Sequence, residues 1–260
     1  MSLWPRKRIR LVCTPENTLI LLPKAQNKWE ELPPITAAER NDALSQAWSE
    51  YGRQRVHIDV TLSNRFVRYA LTAAPGRILS PDQEEALAAA QICNIYGGSA
   101  HDWAVSLHPQ PPGAGLVAAA VESALHNTFT RLQASLEKAT FAVQPALSKA
   151  LQQLPADARR SGRSAKWFVL TEPGWLSLLF LSETGLWKFI DNQPCDDHWP
   201  QQLEQHLKRA QAICGAPEAH YPVWLQTIGA APLVPPTLPA GWTAFPISPP
   251  ERKSYAWTDF

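Results

Sequence analysis

What the chain lacks is most telling in its first turn. Residues 8–23, RIRLVCTPENTLILLP, read as a strand, a tight turn and a second strand opening an α/β domain. A hairpin turn that cradles phosphate needs small glycines, so that backbone N–H groups can approach the anion. This turn carries Cys13, Thr14, Pro15, Glu16, Asn17 and Thr18 instead. Proline removes a donor, Glu16 repels phosphate, and no glycine lets the backbone come close. The hairpin has the outline of a phosphate site without its usual chemistry.

Other absences exclude whole classes. Cys13, Cys93, Cys195 and Cys214 are widely spaced, with no CxxC pair and no histidine at zinc-finger spacing, so free, mostly buried thiols are expected. No window approaches the roughly 18 to 20 uninterrupted apolar residues of a membrane helix. At the N-terminus, Leu11, Val12 and Cys13 run straight into Thr14, Pro15 and Glu16, which leaves no apolar core for a signal peptide. These features predict a cytoplasmic protein with no direct membrane insertion. A formal net charge of +1 supplies no global field for nucleic acid or anionic lipid. The local exception is Arg6, Lys7, Arg8 and Arg10, whose alternation with Ile9 and Leu11 fits the solvated face of an edge strand.

With 260 residues, 45% of them hydrophobic, the chain is long enough for one large domain or two lobes. Methionine occurs once, whereas tryptophan and proline are plentiful, and the prolines gather in residues 231–260 together with Trp242, Phe245, Tyr255, Trp257 and Phe260. Such a tail cannot enter a sheet interior, but its aromatics can dock in grooves, and wrapping of the protein's own surface is the favoured reading.

Periodicity predicts the elements. A short strand at Trp29–Leu32 precedes a helix over 36–51, with Thr36 as cap and Glu39 at the capping-box position. Val56–Leu62 alternates as a strand, and Phe66–Leu71 forms another after a turn at Ser63–Arg65. Ser80, Pro81 and Asp82 start a helix that ends at Gly97 and Gly98. Strands at Asp102–Leu107, Leu116–Val121 and Thr140–Val143 and helices at Glu122–Leu136 and Pro145–Leu154 complete a first α/β lobe, 1–154. Residues 155–164 form a linker. A second lobe, 165–230, opens with a three-stranded meander (Trp167–Thr171, Trp175–Leu181, Gly185–Ile190) and continues through a helix, Trp199–Ile213, and a strand, Tyr221–Ile228. The repetition of a meander followed by α/β units is the outline of a two-lobed, ribonuclease-H-like duplication.

In this order, VHIDVTLSNRFVRYAL, SPDQEEALAAAQICNIYGG, LVAAAVESALHNTFTRL and FAVQPALSKAL resemble the actin-like cytoplasmic proteins of type IV pilus and type II secretion assembly platforms: PilM, the cytoplasmic domain of GspL, and MshI. The stretch WFVLTEPGWLSLLFLSETGLWKF falls where the family's second phosphate hairpin lies. The resemblance spans most of residues 8–230 and rests on order and pattern. It implies a two-lobed actin-like α/β fold with a degenerate nucleotide site. It also implies a cytoplasmic, non-catalytic scaffold that needs no cofactor and binds the tail of an inner-membrane PilN-like or GspM-like protein. Homodimerisation stays open. GspL and MshI carry a membrane segment, so PilM is the nearer guide to topology.

Candidate residues divide between two functions. Arg65, Phe66, Arg68 and Tyr69 bring together arginine and aromatic types enriched at interface hot spots and form the candidate partner surface; the competing reading has an arginine lying over the sheet and pairing with Glu84 or Glu85. The alternative function, an ATP-binding switch or kinase, uses Glu16, Asn17, Thr18, Glu172 and Gly174 in an atypical phosphate site, with Pro173 again lacking a donor. His57 and Asp59 lie two apart on a strand and face one side, as a base with its orienting carboxylate or, more simply, as a polar pair. His101 with Asp102, His108, and Asp196, Asp197 and His198 have no second cluster at metal-ligand spacing, so no metal is expected. No Gly-x-Ser-x-Gly elbow is present.

Overall fold

A computed structural model of the chain describes residues 7–23, 29–38, 56–108, 110–111, 114–135, 138, 140–154, 165–217, 219–228 and 236–247. The chain opens with β1 (Lys7–Cys13), β2 (Asn17–Pro23), β3 (Trp29–Glu31), β4 (Ile35–Thr36) and β5 (Val56–Leu62). A 3-10 turn at Asn64–Phe66 leads to β6 (Arg68–Leu71), α1 (Pro81–Tyr96), β7 (Trp103–His108), β8 (Val117–Glu122), α2 (Ser123–Ala134), β9 (Thr140–Pro145) and α3 (Ala146–Gln152). Then follow β10 (Lys166–Glu172), β11 (Trp175–Leu181), β12 (Trp187–Pro194), α4 (Trp199–Cys214), β13 (Pro222–Thr227) and β14 (Thr243–Pro246).

Two compact units are interleaved along the chain. Unit 1 takes Met1–Val67, His101–Ala104 and Val121–Lys149; unit 2 takes Arg68–Ala100, Val105–Ala120 and Ala150–Phe260. The linker expected at 155–164 and the helix expected beyond Ala38 lie outside the described residues, while Thr36, its expected cap, sits in β4.

In unit 1 the sheet order is β3-β2-β1-β5-β9, with β4 also on β2. The first three strands form an antiparallel meander, and β1, β5 and β9 run parallel. Strand β1 is therefore interior, not the edge strand its basic residues suggest. Alternation puts Ile9, Leu11, Ile58 and Val60 on one face, all nearly fully buried. On that face Phe141 of β9 meets Phe129 of α2, with ring centroids 6.0 Å apart. The opposite face carries Arg8, Arg10, His57, Asp59, Thr61 and Thr140.

Unit 2 repeats the topology. Its sheet runs β12-β11-β10-β13-β14, again an antiparallel meander continued by parallel strands. All of β10, and β11 beyond its first residue, are buried, as expected for central strands covered on both faces. Helix α4 lays Leu203, Leu207 and Ala210 onto Trp167, Val169, Leu176, Leu178, Phe180 and Val223. Each fully buried leucine there stabilises the fold by roughly 1.5–3 kcal/mol. The turn between β10 and β11 is Pro173–Gly174, the pair a type II turn demands, with Gly174 at φ 68°.

The described part of the C-terminal region, 236–247, includes the fifth strand of this sheet. Strand β14 pairs in parallel with β13, Trp224 and Phe245 stack at 5.0 Å, and Trp242 packs on Trp167 and Tyr221. Its position at the sheet edge is the one a proline-bounded strand tolerates. A second, three-stranded sheet, β6-β8-β7, carries α1. That helix starts with a complete capping box between Ser80 and Gln83. Among the described residues no helix is long and apolar enough to cross a membrane.

Candidate functional site

The turn between β1 and β2 is closed on itself. The Thr14 N–H donates to the Asn17 carbonyl at 2.8 Å, and the Asn17 N–H donates to Thr14 Oγ1 at 3.0 Å. Pro15 has no N–H, and the Glu16 carboxylate is paired with Arg65. The donors at Thr14 and Asn17 are thus used inside the loop, where a phosphate would need them directed outward. Thr18 is fully buried at the start of β2.

The second hairpin, in unit 2, is no better suited to an anion. Glu172 is buried, and its charge adds to the burial that pushes the Tyr69 hydroxyl well above its ordinary pKa. A phosphate brought there would meet a like charge in a poorly solvated place. The Gly174 carbonyl accepts from the Cys195 N–H at 3.0 Å, which ties the turn back to the end of β12.

The candidate partner residues occupy two kinds of structure. Arg65 and Phe66 lie on the 3-10 turn, so Phe66 does not share a strand face with Arg68 as the sequence suggests. Ser63 caps that turn, its Oγ accepting from the Arg65 N–H at 3.2 Å. Fully buried Asn64 pins it, its Oδ1 accepting from the Leu147 N–H at 3.2 Å. Arg65, Phe66 and Arg68 are each half-buried. The Arg68 guanidinium lies over the Tyr96 ring, 5.7 Å from its centroid, a cation–π arrangement. Tyr69 is buried and offers its backbone: the Tyr96 hydroxyl donates to the Tyr69 carbonyl at 2.9 Å.

A polar group on the unit 1 sheet gathers residues that the sequence did not connect. His57 Nε2 is 2.9 Å from Asp59 Oδ1, and His57 Nδ1 is 2.7 Å from Thr140 Oγ1. The other carboxylate oxygen of Asp59 accepts from Arg8. Burial alone would raise the Asp59 pKa, but the hydrogen bond and charge of Arg8, helped by His57, hold it below the ordinary value. Lys149 of α3 donates to Thr61 Oγ1 at 2.7 Å. Burial, reinforced by the charges of Arg10 and Arg8, lowers the Lys149 pKa to about 8. The i, i+2 spacing of His57 and Asp59 was legible; Arg8, Thr140 and Lys149 join them only through parallel pairing and the return of α3.

His198 and the two acids before it form a helix entry: the Asp196 carboxylate accepts from the His198 N–H at 2.9 Å. Among the described residues no group of three or more His, Cys, Asp or Glu side chains is placed to hold a metal ion. Cys13 is buried and the other three free thiols are half-buried.

By sequence, no family model and no curated protein matches this chain. Its fold is similar to that in the PilM–PilN type IV pilus biogenesis complex, with a TM-score of 0.56 at 14% identity over 86% of this chain and 82% of that one. It is also similar to the cytoplasmic domain of EpsL, an inner-membrane component of the type II secretion system of Vibrio cholerae, with a TM-score of 0.53 at 15% identity over 92% and 88% of the two chains. A Bacteroides thetaiotaomicron protein of unknown function with an actin-like ATPase fold gives 0.54 at 11% identity over 87% and 83%. The duplicated meander and parallel extension described above are therefore the actin-like α/β fold that these three structures have in common with this chain.

Proposed function

We propose that this protein is a non-catalytic scaffold at the cytoplasmic face of a bacterial inner membrane, within a type IV pilus or type II secretion assembly platform. In this reading it holds the cytoplasmic tail of a PilN-like or GspM-like partner. The observation that carries it is the self-closed first turn, in which Thr14 and Asn17 satisfy each other and Glu16 is paired with Arg65. A buried Glu172 at the second hairpin supports the same reading. Similarity in fold to PilM, found with PilN, and to EpsL supports the choice of platform. The segment Arg65–Arg68 is the proposed contact, through Arg65, Phe66 and Arg68, with the tail bound as a helix in a groove or as an added strand.

The test is a thermal-shift titration of the full chain with Mg·ATP and Mg·ADP, followed by calorimetry. A ligand that binds only the folded state raises the melting temperature by mass action. No shift at millimolar nucleotide is the expected result. A saturable shift would overturn the reading in favour of an ATP-binding switch working through Glu16, Asn17, Thr18, Glu172 and Gly174. For the partner surface, Arg68→Glu in a folded protein is expected to weaken capture of the partner's cytoplasmic peptide; unchanged capture would place the contact elsewhere.

A further inference from the structure

Two parallel strands of unit 1 bring a hydroxyl, an imidazole and a carboxylate into hydrogen-bond sequence. His57 on β5 and Thr140 on β9 are register partners, so their side chains rise side by side from one sheet face. Thr140 Oγ1 lies 2.7 Å from His57 Nδ1, and His57 Nε2 lies 2.9 Å from Asp59 Oδ1. Asp59 follows two residues along β5 and is anchored through its other oxygen by Arg8. The sequence offers only the His57–Asp59 pair; Thr140 arrives from 83 residues away.

The carboxylate fixes where the protons sit. Burial works against ionisation of Asp59, but the hydrogen bond and charge of Arg8, helped by His57, hold its pKa below the ordinary value, so near neutral pH it only accepts. His57 Nε2 must then carry the hydrogen, and in the neutral imidazole Nδ1 is left to accept from the Thr140 hydroxyl. Hydroxyl, base and orienting acid in this order are the parts of an activated nucleophile. Thr140 is β-branched and stiff at χ1, and its neighbour Phe141 packs on Phe129, which holds Oγ1 in place. The group is also reachable. Thr140 and Ala142 are exposed, and the His57 side chain is 34% exposed.

We propose that Thr140 is a nucleophile for acyl transfer, with His57 as its general base and Asp59 as the positioning residue that orients the imidazole. Thr140 Oγ1 bonds to the carbonyl carbon of an ester while the bond to the leaving oxygen breaks. The Thr140 proton passes through His57 Nδ1 to that oxygen, giving an O-acyl threonine and an alcohol. Water then attacks the acyl carbonyl by the same route, releasing the carboxylic acid and restoring the threonine. The substrate class follows from the surface. An exposed sheet face beside the small Ala142 does not enclose a long chain, so it suits an activated ester of a short acyl group. His57 and Thr140 stand at the starts of β5 and β9, whereas the first turn and Arg65 follow the ends of β1 and β5, at the other end of the sheet. The inference does not rest on the platform reading, and it limits the non-catalytic character in that reading to nucleotide chemistry.

The experiment treats the full chain with p-nitrophenyl acetate and maps acetylated residues by peptide mass spectrometry, with and without hydroxylamine. Hydroxylamine removes esters and leaves lysine amides, such as one at Lys149. Thr130 is the internal reference, because it is exposed and its hydroxyl donates to the His126 carbonyl instead of a base. Thr140 is expected to be acetylated about 100-fold faster than Thr130, the lower end of what general-base assistance supplies. Equal rates in the wild type would overturn the proposal without any variant. His57→Gln is expected to bring Thr140 down to the Thr130 rate, and Thr140→Ser to keep the reaction. In Asp59→Asn, Arg8 retains the amide oxygen and the amide N–H faces His57 Nε2, so the imidazole is expected to change tautomer, read from the NMR shifts of its ring nitrogens, and Thr140 to slow as in His57→Gln. Circular dichroism checks that each variant is folded. Acetylation confined to lysines, or a Thr140 rate unmoved by His57→Gln or by the change of tautomer, would each sink the assignment.

Discussion

The guanidinium of Arg65 forms an ion pair with the carboxylate of Glu16, joining the 3-10 turn after β5 to the turn between β1 and β2. The sequence had assigned these residues to rival functions, Arg65 to a partner surface and Glu16 to a phosphate site. In the fold they neutralise one another, so an incoming phosphate or peptide must compete with an existing pair. With side chains 32% and 51% exposed, solvent screens the pair and its contribution is about 0.2–1 kcal/mol. Glu16→Gln is expected to lower stability in urea unfolding by no more than that. A loss above about 2 kcal/mol would mean that the pair is buried in solution.

Gly241 is a positive-φ glycine with a side chain directly in the way of any Cβ. At φ 81° it already favours glycine, and an added Cβ would lie 2.1 Å from His220 Nδ1. Gly215, with φ 63°, has nothing within 4 Å. Gly241→Ala should therefore lower the thermal midpoint clearly more than Gly215→Ala, whose cost of about 1 kcal/mol comes from backbone strain alone. Equal shifts would show that the 236–247 segment does not hold this conformation.

Trp242 tests the same segment through packing. Its ring stacks on Trp167 at 6.3 Å and meets Tyr221 edge-on at 5.4 Å. Trp242→Ala should destabilise the protein by about 2–4 kcal/mol, the lower part of the range for large aromatic truncations because the residue is half-buried. Urea unfolding measures it; a change under about 0.5 kcal/mol would make 236–247 a dispensable appendage.

Lys149 predicts a pH dependence. The unfolded chain keeps its proton to about 10.5, whereas the folded protein releases it near 8. Between these values the unfolded state binds more protons, so this group makes stability rise with pH from about 8 to 10.5. The rise is at most about 3.4 kcal/mol, at 1.36 kcal/mol per unit. Lys149→Met removes the charge and should be more stable than wild type at pH 7, with the advantage shrinking across that window. A constant difference from pH 7 to 10.5 would contradict the assignment.

Tyr96→Phe removes the donor to the Tyr69 carbonyl while leaving the ring under Arg68. The expected loss is about 0.5–1.5 kcal/mol, that of one partly buried hydrogen bond, read from chemical denaturation.

Local patterns alone determined most of the elements. The Ser80–Pro81 start and Gly97 stop bounded α1, period-two alternation marked β1 and β5, and the Pro173–Gly174 pair closed the meander of unit 2. These signals are local because caps, turns and side-chain alternation depend on residues within one or two turns of chain. The glycine-free composition of the first turn was legible for the same reason.

Only the tertiary structure decided what depends on pairing across the sequence. The basic run reads as an edge strand by itself, yet parallel pairing with β5 makes β1 interior and brings Arg8 to Asp59, 51 residues away. Phe66 reads as strand, but Ser63 and Asn64 hold it in a 3-10 turn through bonds that include one to Leu147. Residues 243–246 look like part of a proline-rich tail until β13 offers them an open edge. Strand order, edge position and the company of a charged side chain are set by which distant segments share a sheet, and composition carries no record of that choice.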